Sequence, residues 1–107
     1  MKVNLKIGFL ANYVLLALFL LFTIKISAQN TTIKGIVTDE NNTPLIGVNV
    51  VQKGTTNGTI TDMDGNYQLS VPSDAILVFS YVGYITQEIP RNGLDILNVR
   101  MREHSEI

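Results

Sequence analysis

The sequence contains no cysteine among its 107 residues. Disulfide bonds, zinc–thiolate sites, a thiol nucleophile and a lipid-modified cysteine behind an export signal are therefore excluded. Tryptophan is also absent, and the single histidine, His104, lies in a polar segment after the last apolar run, which makes it a poor candidate for a general base. The serines lack the Gly-x-Ser-x-Gly context of a nucleophile elbow, and the glycines are spaced as turn residues, not as a phosphate-binding loop.

The first 28 residues have the composition of an export signal. Two lysines lie within the first six residues, and an apolar run is densest from Tyr13 to Ile24. This pattern predicts a helical signal peptide over residues 1–28, cleaved between Ala28 and Gln29, and a short linker over residues 29–31. The alternative is a retained membrane anchor, but a spanning helix needs roughly 20 consecutive apolar residues.

Removal of the signal segment makes the chain acidic. It takes away three lysines and no acidic residue, which leaves five basic and nine acidic residues and a net charge of −4. Such a surface does not attract phosphate backbones, so we do not expect a nucleic-acid partner. The residues that remain suggest no cofactor.

The rest of the chain alternates between apolar and polar residues with the period of β-strands, and no segment has helical periodicity. The clearest case is the run from Asn66 to Val71, which predicts Tyr67, Leu69 and Val71 on a core face. Turn signals recur about every 8 to 12 residues and indicate about seven short strands. We therefore predict an all-β fold, an antiparallel β-sandwich.

Two further strands are predicted in the second half of the domain. The run from Ala75 to Val82 is apolar on both faces, which favours a central strand buried on both sides. The next strand is expected to stop at Pro90, because proline cannot donate to a strand ladder. The domain is then bounded by residues 32–101, followed by a polar tail over residues 102–107.

Asp62 and Asp64 lie two residues apart and are followed by Gly65, a pattern found in metal loops, carboxylate pairs and turns. If Gly65 is the sixth residue of an EF-hand loop, the first and twelfth positions fall on Ile60 and Val71, which cannot ligate through their side chains. Two carboxylates on one turn do not face each other across a substrate, so acid–base catalysis is disfavoured. A looser calcium loop stays an alternative.

The interpretation that we favour for this stretch is a structural turn. Asp-Gly between alternating segments is a strong hairpin signal, because glycine accepts a positive φ. The arms of the hairpin would be residues 59–61 and 66–71. Asp62, Asp64 and Gly65 are then turn formers, and loss of the Asp64 side chain is expected to cost about 1 kcal/mol.

Tyr81 and Tyr84 flank Gly83 and are candidates for an aromatic binding surface. Such tyrosines are more often core residues with a hydroxyl group at the rim. A stand-alone secreted module that binds carbohydrate or protein would need an exposed ring, and Tyr84 is the candidate that we name for it.

The order of four motifs resembles one known family. The motifs are G-x-V-x-D from Gly35, P-L-x-G-V-x-V from Pro44, G-T-T-x-G-T-x-T-D-x-D-G-x-Y from Gly54 and F-S-Y-V-G-Y from Phe79. In this order, over residues 32–101, the chain looks like the carboxypeptidase-regulatory-like domain. More narrowly, it resembles the copy that opens SusC/RagA-type TonB-linked outer-membrane proteins of Bacteroidetes-like bacteria.

The resemblance implies a transthyretin-like (prealbumin-like) seven-strand Greek-key sandwich and a module that is not an enzyme. It also implies export to the periplasmic face of the outer membrane. There the module would precede a plug and a barrel, and would work with a TonB-type energising complex and a SusD-like lipoprotein. Because the sequence stops about where a TonB-contacting segment would begin, we expect a fragment or truncation located in the periplasm. Membrane association would then require the missing barrel or an uncleaved signal, and a stand-alone binding module is the alternative.

Overall fold

The structure is a computed structural model that describes residues 11–19 and 29–105. Residues 11–19 form a helix, and none of the helical structure in the two described ranges is both long and apolar enough to cross a membrane. The rest of the predicted signal peptide, including Ala28, lies outside the described residues. Cleavage between Ala28 and Gln29 therefore stays a prediction.

Residues 29–105 form β-strands that are arranged in two sheets. The strands are β1 (Thr31–Thr38), β2 (Asn49–Gln52), β3 (Gly58–Ile60), β4 (Asn66–Val71), β5 (Ile76–Ser80), β6 (Gln87–Pro90) and β7 (Val99–Arg100). One sheet has the order β4-β1-β7, and the other has the order β3-β2-β5-β6. Because both sheets contribute to one apolar core, the fold is a β-sandwich.

Alternation along the strands positions this core. Every second residue of β4 is buried, namely Tyr67, Leu69 and Val71, as the sequence predicts. The rings of Tyr67 and Phe79, one from each sheet, meet edge to face with centroids 5.5 Å apart. The remaining members of the core are Ile33, Val37, Val48, Val50, Ala75, Leu77, Val99 and Met101. Full burial of a large apolar side chain contributes about 1.5–3 kcal/mol, so this cluster is the main stabilising element.

The prediction that all strands are antiparallel is wrong for β7. This strand pairs with β1 in parallel, through Val37 with Val99 and Thr38 with Arg100. The reason is a crossover: β6 is an edge strand of the four-stranded sheet, and the chain after it passes to the other sheet and runs beside β1 in the same direction. Local alternation carries no information about such a crossing.

The prediction of two-sided burial for the fifth strand is also wrong. β5 lies between β2 and β6, but only Leu77 and Phe79 point into the core, and Ile76 is 38% exposed. No further layer of the described residues covers the outer face of this sheet. β6 also includes Pro90, which pairs with Ile76, because an edge strand tolerates a residue without an N–H group.

One end of the sandwich is held by Arg91, whose side chain is 1% exposed. Its guanidinium group donates to the carbonyl oxygens of Leu94 (2.7 Å), Thr31 (2.9 Å), Val71 (2.7 Å) and Thr32 (3.3 Å) and to the carboxylate of Asp95 (3.4 Å). An arginine has five N–H donors, so each one has an acceptor. We call this end, formed by residues 52–57, 72–75 and 91–94, the clamped end.

The opposite end of the sandwich consists of residues 39–48, 61–65, 81–86 and 101–105, and we call it the distal end. Here the residues after β7 lie against the loop after β5. The N–H of Ile85 donates to the carbonyl of Arg102 (2.8 Å), and the N–H of His104 donates to the carbonyl of Gly83 (2.8 Å). The segment predicted as a polar tail is thus held by backbone hydrogen bonds as far as His104.

Candidate functional site

No group of three His, Cys, Asp or Glu side chains that could hold a metal ion is found in residues 11–19 and 29–105. His104 is exposed at the distal end. The candidates that remain are the turn at Asp62, the pair of tyrosines, the contact at Gly35 and a groove on one sheet face.

The carboxylate of Asp62 builds the turn between β3 and β4. One of its oxygens accepts the N–H groups of Asp64 (3.0 Å) and Asn66 (2.9 Å). The backbone carbonyl of Asp62 accepts the N–H of Gly65 (3.0 Å), and Gly65 has a φ of 76°, which favours glycine. The carboxylate of Asp62 is therefore engaged by the backbone of its own turn.

This turn joins the two sheets, so the predicted hairpin with arms at residues 59–61 and 66–71 is wrong. β3 pairs with β2, whereas β4 pairs with β1. The N–H of Val37 donates to the carbonyl of Gly65 (2.8 Å), and a Cβ added to Gly65 would lie 2.5 Å from the carbonyl oxygen of Val37. Glycine thus lets the turn dock against the end of β1, which makes the turn a corner of the sandwich.

The rings of Tyr81 and Tyr84 stack on each other, with centroids 5.5 Å apart and an angle of 22° between their planes. Both side chains are half-buried and pack against the core. The pKa of the Tyr84 hydroxyl is raised, mainly by partial burial and to a smaller extent by the negative charges of Glu103 and Asp39. One face of each ring is covered by the other ring, and a binding role for Tyr84 stays a prediction.

A close contact at Gly35 was not predicted from the sequence. The hydroxyl of Tyr67 donates a 2.6 Å hydrogen bond to the carbonyl of Leu97, and a Cβ added to Gly35 would overlap that carbonyl. Next to this contact, the N–H of Ile36 donates to the side-chain oxygen of Asn98 (3.0 Å). Burial raises the pKa of Tyr67 to about 12. The sequence did contain a signal for this contact, because a glycine on the core-facing side of a strand indicates that another segment of backbone approaches closely.

A groove of about 510 Å³ lies on the outer face of the three-stranded sheet. Its lining includes the exposed apolar side chains of Ile36 and Ile96 and the side-chain amides of Asn66, Gln68 and Asn98. Tyr67 also lines this groove, but it is only 3% exposed. The lining therefore has hydrogen-bonding groups but no exposed aromatic ring on which a sugar could stack.

Comparison with known proteins gives a consistent result. Residues 33–105 match the family described as the CarboxypepD_reg-like domain. Over 80 residues the chain is 51% identical to the TonB-dependent receptor SusC of Bacteroides thetaiotaomicron, and this match covers 75% of the chain and 8% of the receptor. Over 91 residues it is 40% identical to a TonB-dependent receptor of Formosa agariphila, a match that covers 84% of the chain and 9% of the receptor. The chain thus spans less than a tenth of either relative.

A solved structure supports the sandwich architecture. A chain of a type II cohesin–X-dockerin complex from Acetivibrio cellulolyticus superposes with a TM-score of 0.58 at 21% identity, and the match covers 68% of this chain and 58% of that one. At this identity the similarity concerns the fold alone.

The turn geometry predicts different effects for two neighbouring carboxylates. Asp62→Ala removes the acceptor of two backbone N–H groups and should lower the free energy of unfolding by about 1–2 kcal/mol. Asp64→Ala should change it by less than about 0.5 kcal/mol, because the Asp62 carboxylate, not that of Asp64, caps the turn. This replaces the sequence-based expectation for Asp64. Urea unfolding of both variants is the measurement, and equal losses would contradict the assignment.

The raised pKa of Tyr67 predicts a loss of stability at alkaline pH. In the folded protein burial raises the pKa of Tyr67 to about 12, whereas in the unfolded chain the hydroxyl has its ordinary pKa of 10.0. The contribution of Tyr67 is thus complete below pH 10.0 and is lost as the pH rises towards about 12. Urea unfolding across this range should show a shallower decline for Tyr67→Phe than for the native chain. Parallel declines would show that Tyr67 is not the group responsible.

Proposed function

The chain belongs to the CarboxypepD_reg-like domain family, and from this premise we propose that it serves as a non-catalytic accessory module of a TonB-dependent outer-membrane nutrient transporter. The module would be N-terminal in such a transporter and would face the periplasm after removal of residues 1–28. The observation that carries the proposal is the 51% identity over 80 residues to a TonB-dependent receptor.

We propose that the module acts by binding other proteins. Residues 11–19 and 29–105 contain no metal-ligand cluster. The carboxylate pair that most resembled a site is part of a structural corner. The surfaces that the described residues offer to a protein partner are turn tips, sheet faces and strand edges.

The partners that we propose are those that the family resemblance implies. They are the plug and barrel of the same transporter, a TonB-type energising complex and a SusD-like surface lipoprotein, with glycans or peptides as the transported nutrients. The strand order of the two sheets is compatible with the Greek-key, transthyretin-like arrangement that the family resemblance implies.

A second candidate function is a stand-alone module that binds carbohydrate or protein. The amide-lined groove beside Ile36 favours it, since side-chain amides can bind hydroxyl groups. The stacking of Tyr81 and Tyr84 against each other weighs against it, because each ring already covers one face of the other. We therefore rank this function second.

A chimaeric receptor tests the accessory role. The 80-residue matching segment of the Bacteroides receptor is replaced by the corresponding segment of this chain, and a second receptor has the segment deleted. We expect the chimaera to keep TonB-dependent growth on the receptor's own substrate, and the deletion to lose most of it at equal receptor abundance.

Two outcomes would contradict the accessory role. If the deletion grows like the native receptor, the segment has no accessory function. If the chimaera fails like the deletion, this chain is not an equivalent module. Binding of the free chain to a glycan array, lost in a groove variant such as Gln68→Ala, would favour the second candidate.

A further inference from the structure

The turns at the two ends of the sandwich carry different residues at their tips. At the clamped end, the first central residue of each hydrogen-bonded turn is polar: Lys53, Ser73 and Asn92. At the distal end, three turns place an apolar residue at the same position: Ile46, Met63 and Val82. These side chains are 54%, 82% and 95% exposed. The fourth distal turn, Asp39–Asn42, carries Glu40 there.

The geometry of the three turns does not depend on these apolar side chains. The turn around Ile46 is closed by the buried Thr61, whose hydroxyl donates to the carbonyl of Leu45 (2.6 Å) and accepts the N–H of Val48 (2.9 Å). The other two are closed by backbone hydrogen bonds, from Gly65 to Asp62 and from Tyr84 to Tyr81. Polar residues are usual at such tips, so apolar ones need a different reason.

The three tips lie side by side. Gly47 donates its N–H to the carbonyl of Thr61 (3.1 Å), which places the turn around Ile46 next to the turn around Met63. On its other side, Asn49 pairs with Ser80, the residue before the turn that carries Val82. The tips therefore form one surface. We call the surface that includes Ile46, Met63 and Val82 the apolar tip surface.

Acidic residues are concentrated at the same end of the sandwich. Of the eight acidic residues between positions 29 and 105, five lie at the distal end: Asp39, Glu40, Asp62, Asp64 and Glu103. Of the five basic residues in that range, only Arg102 lies at the distal end, and Arg100 lies in β7 just before it. A partner that buries the apolar tips therefore has better electrostatic complementarity if it carries positive charge around its own apolar residues.

We propose that the apolar tip surface docks on a protein surface whose apolar residues are flanked by lysine or arginine. The charge disfavours two other occupants. An anionic lipid surface would be repelled by the acidic residues, and a second copy of this chain would bring like charges together. The inference deepens the proposed function and rests on it, since an accessory module needs a docking surface and this assigns one.

Site-specific photocrosslinking in cells tests the proposal. The full chain is produced in Bacteroides thetaiotaomicron, the source of the relative with 51% identity, with benzoylphenylalanine at one position. Positions Met63 and Val82 probe the distal end, and Lys53 and Ser73 probe the same turn position at the clamped end. We expect adducts from the distal positions to map to one protein, at a peptide with apolar and basic residues, and no such adduct from the clamped positions.

Charge reversal provides the matched control. Asp64 and Asp74 both occupy the second central position of a turn, one at each end. Asp64→Lys should lower the crosslink yield from Val82 by about threefold or more, whereas Asp74→Lys should leave it unchanged. Equal melting temperatures of the two variants show that neither result comes from unfolding.

Several outcomes would overturn the inference. These are similar adducts from both ends, adducts to lipid or only to a second copy of the chain, no adduct at any position, and no effect of Asp64→Lys. Failure of this inference can be distinguished from failure of the proposed function. A chimaeric receptor that does not support growth while Val82 still crosslinks in a charge-dependent manner removes the accessory role and keeps the docking surface.

Discussion

The buried guanidinium group of Arg91 is the constraint on which the two-sheet arrangement depends. It joins the carbonyls of Thr31 and Val71, which end the β1–β4 pair, to the turn after β6 in the other sheet. A buried charge is costly unless every donor is satisfied, and here five acceptors meet five N–H groups. The crossing from β6 to β7 begins at this residue, so the clamp also positions the segment that runs parallel to β1.

The clamped end and the distal end of the sandwich use their polar and apolar residues differently. The clamped end uses its polar groups internally and presents polar turn tips. The distal end is held by the Thr61 hydroxyl, the Asp62 carboxylate and the backbone pairing of residues 102–104, and it leaves apolar tips and acidic side chains exposed. A domain of this size has a small core, so each apolar residue that is exposed at a turn tip is one that does not contribute to the core. The asymmetry between the ends is the basis for placing a docking surface at only one of them.

Local patterns in the sequence predicted the features that depend on neighbouring residues, namely which strand residues are buried and where one turn lies. Alternation placed Tyr67, Leu69 and Val71 in the core, and Asp-Gly marked a turn. The pairing of β4 and β7 with β1 was not predictable in this way, because β1 lies far from both strands in the sequence. Arg91 directly precedes Asn92-Gly93, a turn signal that gives no indication of a buried side chain. Its role depends on carbonyls about 20 and 60 residues away, for which one sequence offers no signal. Family motifs supplied the functional expectation that the residue chemistry alone did not.

The free energy of unfolding of Arg91→Lys, compared with Arg102→Lys, tests the central claim most directly. Lysine keeps the positive charge but offers three donors from one point, so it cannot satisfy acceptors spread around a guanidinium fork. We predict a loss of about 2 kcal/mol or more for Arg91→Lys and less than about 0.5 kcal/mol for the exposed Arg102→Lys. Equal and small losses for the two variants would contradict the account, because they would show that the sandwich does not depend on the clamp.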